Sequence, residues 1–259
     1  MHRAIRRMFD SGQVMAGKWF GMASGRGGPG GSDGKLGDLN RRLLGYPNNH
    51  NYQIRGQRRI PSHRLAERWR VISSIYPKKL ESFLDVGCCK GFFVLENAAR
   101  PECKRSVGID VVDSFVDTAR EAGNYMNVVG AEFHSASLDD VAGRVEEFGG
   151  PFQVVQLINT YHYLFWGSNL NTKAYGDHRT IFSMFHAVTS SCFIFSSPLE
   201  VKVAPQEIRD RAAAAGNHEY HREAILDAAQ DFFDVIELPS LDARNRRPLL
   251  LMVKRTNGS

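Results

Sequence analysis

The sequence predicts an α/β fold: a seven-stranded, mostly parallel, doubly wound sheet with a C-terminal antiparallel hairpin, in three αβα layers. Three features carry that expectation. Beyond Pro77, short continuous apolar runs alternate with amphipathic stretches, the pattern of strands buried on both faces and joined by crossover helices. The last two apolar runs are separated only by SLDARNRRP, too short for a helix, so they pair as an antiparallel hairpin. The first strand runs into a glycine-containing turn and the second ends on an acid, which places a nucleoside-binding crevice at the carboxyl edge of the sheet.

The strands are expected at 82–87, 106–111, 131–136, 152–159, 192–197, 234–238 and 249–254. Helices are expected near 91–100, 114–123, 138–148, 177–188, 205–215 and 221–233. For the second of these, Ser114 with Asp117 makes an N-cap with a short-chain capping box, and Gly123 a stop. Upstream, SHRLAERWRVISSIY places Leu65, Trp69 and Ile72 on one helical face. Residues 35–60 are polar, rich in Asn and Arg, and show no periodicity. Between Gly21 and Gly34 there are seven glycines in 14 residues, the composition of a flexible coil. The chain therefore divides into a flexible, basic, Gly-rich arm (1–34), an extension with one helix that is a candidate lid (35–78), and a catalytic domain (79–259).

Charge divides the chain the same way. Residues 1–70 hold 14 Lys/Arg against Asp10, Asp33, Asp38 and Glu67, a formal +10 that leaves the remainder at −5. A basic arm on a mildly acidic body suits an anionic partner for the arm, or else a solvated tail. In the first 20 residues, Ile5, Met8 and Phe9 recur beside Arg3, Arg6 and Arg7, with Trp19 and Phe20 beyond. This pattern fits a segment lying on an anionic membrane surface or an organellar presequence, although Gly12 and Gly17 weaken a helix there. No apolar run approaches the roughly 20 residues that span a bilayer. Cys88, Cys89, Cys103 and Cys192 include no CxxC pair, so neither a disulfide framework nor a zinc site is expected, and a reducing, cytoplasmic setting fits.

The chemistry concentrates at Asp85-Val-Gly87-Cys-Cys89-Lys-Gly91, with Asp110 closing the second strand 19 residues after Gly91. Dinucleotide sites use G-x-G-x-x-G so that backbone amides and a helix N-terminus hold a pyrophosphate. Here an aspartate heads the turn. Its charge repels a pyrophosphate and favours the cationic aminoacyl and sulfonium end of S-adenosylmethionine.

With these residues the chain resembles the class I S-adenosylmethionine-dependent methyltransferase superfamily, whose first motif runs acid-x-Gly-x-Gly-x-Gly. The likeness covers roughly residues 80–255, including the terminal hairpin. It implies that Asp85, Gly87 and Gly91 shape a methionine pocket, with Cys89 standing where the family has its middle glycine. It further implies that Asp110 accepts hydrogen bonds from the ribose hydroxyls and that Ala136 and Ser137 meet adenine. The usual acid is absent from that third-strand stretch. The fourth strand leads into Asn159-Thr-Tyr161-His162-Tyr163-Leu164, similar to the N-x-x-H-x-L of many small-molecule methyltransferases, whose residues face the transferred methyl. His162 is then the candidate general base, or else a packed histidine at a strand end, with Tyr161 and Tyr163 shaping the pocket.

Three functions follow as expectations. One is methylation of an oxygen on a small metabolite, sugar or lipid-linked acceptor. Another is RNA methylation, including transfer RNA, with the basic arm on the phosphate backbone. The third is a catalytically silent binding module at a membrane. The N/D-P-P-Y/F signature of amino-group methyltransferases is missing, and DVGC and VGID are shared too widely with wobble-uridine modifying enzymes to assign a substrate. No metal is expected: His218 with His221, or His178 with His186, lack an accompanying carboxylate cluster. The run Arg55-Gly-Gln-Arg58-Arg59 near Tyr52 suits phosphate clamping or a solvated loop, and Arg58, Arg59, His63 and Arg64 suit a lid that selects an anionic acceptor. Trp166 is either a wall of the acceptor site or core.

Overall fold

The computed structural model describes residues 32–216, 219–239 and 247–255. The N-terminal segment around Ile5, Met8 and Phe9, His218 and most of the SLDARNRRP turn lie outside the described residues. Nine strands and nine α-helices are described. The first are α1 (Ser32–Leu44), β1 (Tyr52–Arg55), β2 (Arg58–Pro61) and α2 (His63–Ser74). The α/β body then runs β3 (Ser82–Val86), α3 (Phe92–Ala98), β4 (Arg105–Asp110), α4 (Asp113–Tyr125), β5 (Ala131–Ser135), α5 (Leu138–Gly143) and β6 (Phe152–Ile158). It continues α6 (Tyr161–Trp166), α7 (His178–Val188), β7 (Thr189–Ser196), α8 (Gln206–Ala215), α9 (Arg222–Gln230), β8 (Phe233–Leu238) and β9 (Leu249–Lys254).

Seven strands form one sheet in the order β5-β4-β3-β6-β7-β9-β8. Strands β3 to β7 are parallel, and β9 inserts antiparallel between β7 and β8. This is the expected seven-stranded sheet with its terminal hairpin. The order reverses between β3 and β6, so the carboxyl ends of those two strands flank the switch point where open α/β sheets bind ligands. Apolar side chains leave the sheet on both faces, as continuous apolar runs require. On one face Leu84, Val107, Val155 and Phe193 pack with α5, α7 and α9; on the other Phe83, Val154 and Ile194 pack with α1 to α4.

Several local expectations are corrected. Helix α4 begins at Asp113 after Val112, with no side-chain cap, so Ser114 is inside the helix. Gly123 does not stop it, because Gly123 is buried against Leu95 and the helix continues to Tyr125. The capping box falls instead on Ser137 and Asp140 at α5, and Asp177 caps α7 by accepting the Thr180 amide. Residues 35–60 are far from featureless. Leu39 and Leu43 bury one face of α1, and Tyr52 and Ile54 bury one face of the β1–β2 hairpin. A two-residue Gly56-Gln57 turn joins the hairpin strands, with Gly56 at φ 58°. The α1 spacing Leu36, Leu39, Leu43 and that Gly-x turn were readable signals, obscured by the Arg and Asn around them.

Candidate functional site

At the carboxyl edge of β3, β4, β5 and β6 lies a crevice of about 500 Å³. Val86, Gly87, Ile109, Asp110, Ala136 and Ser137 line one side, and Thr160, Tyr163 and Leu164 from the start of α6 line the other. Ser168, Asn171, Lys173 and Tyr175 close one end. Those last residues belong to the α6–α7 connection, which no periodicity marks in the sequence.

Two requirements shape the turn after β3. Gly87 has φ 75°, and a Cβ there would come within 2.8 Å of Thr160 Oγ1, so any side chain would push the turn against the opposite wall. Cys89 holds φ 51°, a left-handed conformation that costs a non-glycine residue about 1–2 kcal/mol, which explains why a glycine suits this position elsewhere. Asp110 offsets part of that cost. Its Oδ2 accepts the Cys89 amide at 2.9 Å and its Oδ1 accepts the Val112 amide at 3.0 Å, so one carboxylate shapes both adjoining turns. Gly91 sits apart from the crevice wall: a Cβ there would strike Phe133 at 2.5 Å and Ala119, so it serves helix-to-strand packing.

Asp85 is buried beneath the turn and accepts one hydrogen bond from Gln156 Nε2 at 3.2 Å. Gln156 Oε1 accepts the Tyr76 hydroxyl at 2.7 Å, continuing a polar thread between strands and extension that the sequence did not suggest. Burial pushes the Asp85 carboxyl up to about 8; the Gln156 bond opposes this and the nearby Asp110 charge adds to it. Burial thus favours the protonated form of Asp85 near neutral pH.

Lys90 ties this turn to the extension. Its buried ammonium donates to Leu43 O (3.1 Å), Gly45 O (2.7 Å) and Asn51 Oδ1 (2.8 Å), using all three N–H groups near the C-terminus of α1. The Tyr52 hydroxyl returns a bond to Lys90 O at 2.8 Å. Tyr52 is thus a buried strut and not a stacking surface, and Arg59 is spent on a buried ion pair with Glu96. Neither is available to clamp a phosphate.

Ala136 and Ser137 line the crevice, but the Ser137 amide donates to Asp140 and its one hydroxyl proton is shared between the Asp139 and Asp140 carboxylates. Asp139 does not line the crevice and is engaged within the protein. It accepts Lys173 Nζ at 2.5 Å and the Tyr175 hydroxyl. Burial would raise its pKa, yet these partners and Ser137 together hold it well below the usual carboxylate range.

On the acceptor side, Asn159 has φ 60° and donates its amide to Ser196 O, while its buried Oδ1 has no partner among the described residues. His162 is fully buried, with Nδ1 3.2 Å from Ser197 Oγ and Nε2 without a partner among the described residues. Burial, then the Arg247 charge, bring its pKa down to about 3, so the ring is neutral at physiological pH. Tyr161 points into the core: His178 donates Nε2–H to Glu219 O and accepts the Tyr161 hydroxyl on Nδ1 at 2.7 Å. Trp166 packs on Phe165 and Tyr220 away from the crevice. The structure thus brings Gly87, Asp110, Ala136, Ser137 and Tyr163 onto one crevice, with Asp85 beneath it; it leaves Gly91, Tyr161 and Trp166 in packing positions, and Cys89, Asn159 and the buried His162 outside the crevice lining.

No protein-family model matches the chain, and no curated protein sequence does. Solved structures do. EvdMO1 superposes with a TM-score of 0.56 at 14% identity, over 86% of this chain and 47% of that one. The CurJ carbon methyltransferase superposes at 0.52 with 12% identity, over 74% and 54%. The chain has the class I methyltransferase fold. Monomeric WbdD, 20% identical over 73% of this chain and 39% of its own, gives a TM-score of 0.49. The chain spans between 39% and 54% of the length of these three proteins. In the methyltransferase fold the crevice found here, at the switch point between β3 and β6, is where S-adenosylmethionine is expected, and the donor set fits it. A carboxylate at Asp110 suits vicinal hydroxyls, the cradle at Gly87 admits no Cβ, and the proton on Asp85 can give way to a cation.

Proposed function

We propose that this chain is an S-adenosylmethionine-dependent methyltransferase that methylates an oxygen of a small metabolite, sugar or lipid-linked acceptor. The observation that carries the reading is the crevice itself, which joins Asp110 and the Gly87 turn on one wall to the N-terminus of α6 on the other. Bound there, S-adenosylmethionine supplies an electrophilic methyl group. Asp110 holds the ribose end, Asp85 and the Gly87–Cys89 turn the methionine end, and Ala136 and Ser137 border the adenine end with Lys173 and Tyr175 across from them.

The chain's own contribution on the acceptor side is alignment and a place for a proton. In the tautomer that donates Nδ1–H to Ser197 Oγ, His162 Nε2 carries a lone pair. A ring with so low a pKa is a poor base toward a free hydroxyl. It suffices once the acceptor oxygen gains a bond, because the O–H of such an oxygen is far more acidic than that of an alcohol. Tyr161 acts one step back, fixing the start of α6 through His178. The extension is lid-like and seated on the donor turn by Lys90; it begins with α1 at Ser32, inside the arm boundary expected at 34, and the rest of the arm lies outside the described residues.

Calorimetry with S-adenosylmethionine and its demethylated product tests donor binding, and labelled donor with a fractionated cell extract tests the acceptor class. Label in small-molecule or lipid fractions supports the proposal. Label confined to RNA overturns it in favour of an RNA substrate, and binding of neither donor nor product leaves a silent binding module.

A further inference from the structure

The connection between α6 and α7 closes one end of the crevice with Ser168, Asn171, Lys173 and Tyr175, and it is held unevenly along its length. It contains no helix or strand, and Thr172, Lys173 and Ala174 are exposed. Gly167, at φ 70°, turns the chain out of α6 so tightly that a Cβ there would meet Thr172 O at 2.8 Å. The first part of the strap is then fixed to the body. The Ser168 amide donates to Asn171 O at 2.6 Å, the Asn169 amide donates to Glu207 on α8 at 2.7 Å, and Arg211 donates to Asn169 Oδ1 at 3.0 Å. The last part is fixed to α6 by the Tyr175 and Gly176 amides, which donate to Leu164 O at 2.9 Å and Phe165 O at 3.1 Å.

The exposed middle is held from the opposite wall, by Asp139 on α5. Asp139 Oδ2 accepts Lys173 Nζ at 2.5 Å, and Oδ1 accepts the Tyr175 hydroxyl and shares the Ser137 hydroxyl at 2.7 Å. Ser137 lines one side of the crevice and Lys173 and Tyr175 its closed end, so one carboxylate behind the lining ties the two together. The start of α5 does not require Asp139 for this, because Asp140 takes the Ser137 amide at 2.9 Å and completes the capping box. The tie is also weak enough to open. The Lys173 and Asp139 side chains are 46% and 38% exposed, and an ion pair so wet contributes little by itself. A segment with few buried apolar contacts opens more readily than the core beneath it, and straps that cover a ligand must open for exchange.

We infer that Asp139 is a positioning residue that latches the 168–175 strap through Lys173 and Tyr175, making the strap the outer wall for the nucleoside end of the methyl donor and its release the step that lets donor and product exchange. The inference rests on the methyltransferase reading for the identity of the ligand. The latch itself is measurable without any ligand.

The test compares the full-length wild type with Asp139→Asn and Asp139→Ala by hydrogen exchange of peptides covering 168–175, and by stopped-flow dissociation of S-adenosylmethionine and its demethylated product. Strap amides should exchange about tenfold or more faster in Asp139→Ala, the worth of a lost charge-assisted hydrogen bond, with Asp139→Asn in between and β6 unchanged. Dissociation of donor and product should accelerate in the same order, while association does not slow. Tyr175→Phe should speed strap exchange in the wild type and add nothing when combined with Asp139→Ala, because both remove the same contact. Lys173→Met, at an exposed position, leaves the fold intact and should show the smaller strap effect even if Asp139→Ala does not fold. Bound donor should slow strap exchange in the wild type. The latch is overturned if the strap exchanges at the wild-type rate in these variants, or if β6 loosens equally, which marks a general loss of stability. Its role in exchange is overturned if the strap loosens but ligand dissociation is unchanged. If the strap loosens and neither donor nor product binds even the wild type, the methyltransferase reading fails and the latch stands.

Discussion

The two halves of the crevice are finished to different degrees. On the donor half, each polar group already has a protein partner. Asp110 spends both oxygens on turn amides, Asp85 is bonded to Gln156, Ser137 is closed in its capping box, and Asp139 is held by Lys173 and Tyr175. Around the start of α6, by contrast, Asn159 Oδ1 and His162 Nε2 are buried without partners among the described residues. A cofactor-binding surface is served by rigidity before the ligand arrives. A surface that must recognise and position a variable acceptor leaves its hydrogen bonds to be completed by that acceptor. The difference teaches that the donor can be argued from the chain alone, whereas the acceptor is best sought through what the protein leaves unmatched.

The sharpest way to break this comparison is His162→Ala. Turnover should fall by roughly 10²- to 10⁴-fold, the range for loss of a proton-transfer group, while donor affinity stays put. Equal loss of donor affinity in calorimetry would place the ring in the donor half and erase the distinction.

Next is pH. Because the Asp85 carboxyl is raised to about 8, the apo protein holds a proton there that a cationic donor must displace. Donor affinity should therefore improve by up to about tenfold per pH unit below pH 8 and level off above it, and Asp85→Asn should flatten the profile. The same raised pKa means that the folded state binds more protons than the unfolded chain between about pH 4 and 8, so this group's contribution to stability declines as pH rises through that window. The demethylated product keeps the α-ammonium, so an equal pH dependence for donor and product would place Asp85 against the ammonium, and a dependence confined to the donor would place it against the sulfonium.

Asp110→Ala should weaken donor binding by about ten- to a hundredfold, the worth of one or more charge-assisted hydrogen bonds, and should also loosen the Cys89 turn. Unchanged calorimetric affinity removes the ribose assignment. The smallest effect should come from Tyr161→Phe, which deletes one buried hydrogen bond to His178. About 1 kcal/mol of stability should be lost in denaturant titration with little change in turnover. A large drop in turnover with stability intact would move Tyr161 out of its packing role.

Much of the donor half was legible in the chain order of residues. Continuous apolar runs marked the strands, the short 239–248 link marked the hairpin, and glycine at 87 with acid at 110 marked the crevice. The misses share a cause. Helix α1 and the β1–β2 hairpin have small apolar faces, Leu39 with Leu43 and Tyr52 with Ile54, set among arginines and asparagines that hide their period. Lys90 reads as a surface residue, yet it is buried because the carbonyl ends of α1 come to meet it.

Sequence by itself determined the order and type of the strands and the position of the nucleotide-type turn, because these depend on neighbours a few residues apart. Tertiary structure alone decided that Asp85 is raised toward its protonated form, that Tyr161 faces the core and Tyr163 the crevice, and that Asp139 meets Lys173. Burial and charge proximity set those properties, and both depend on segments far apart in the chain being brought within a few ångströms of one another.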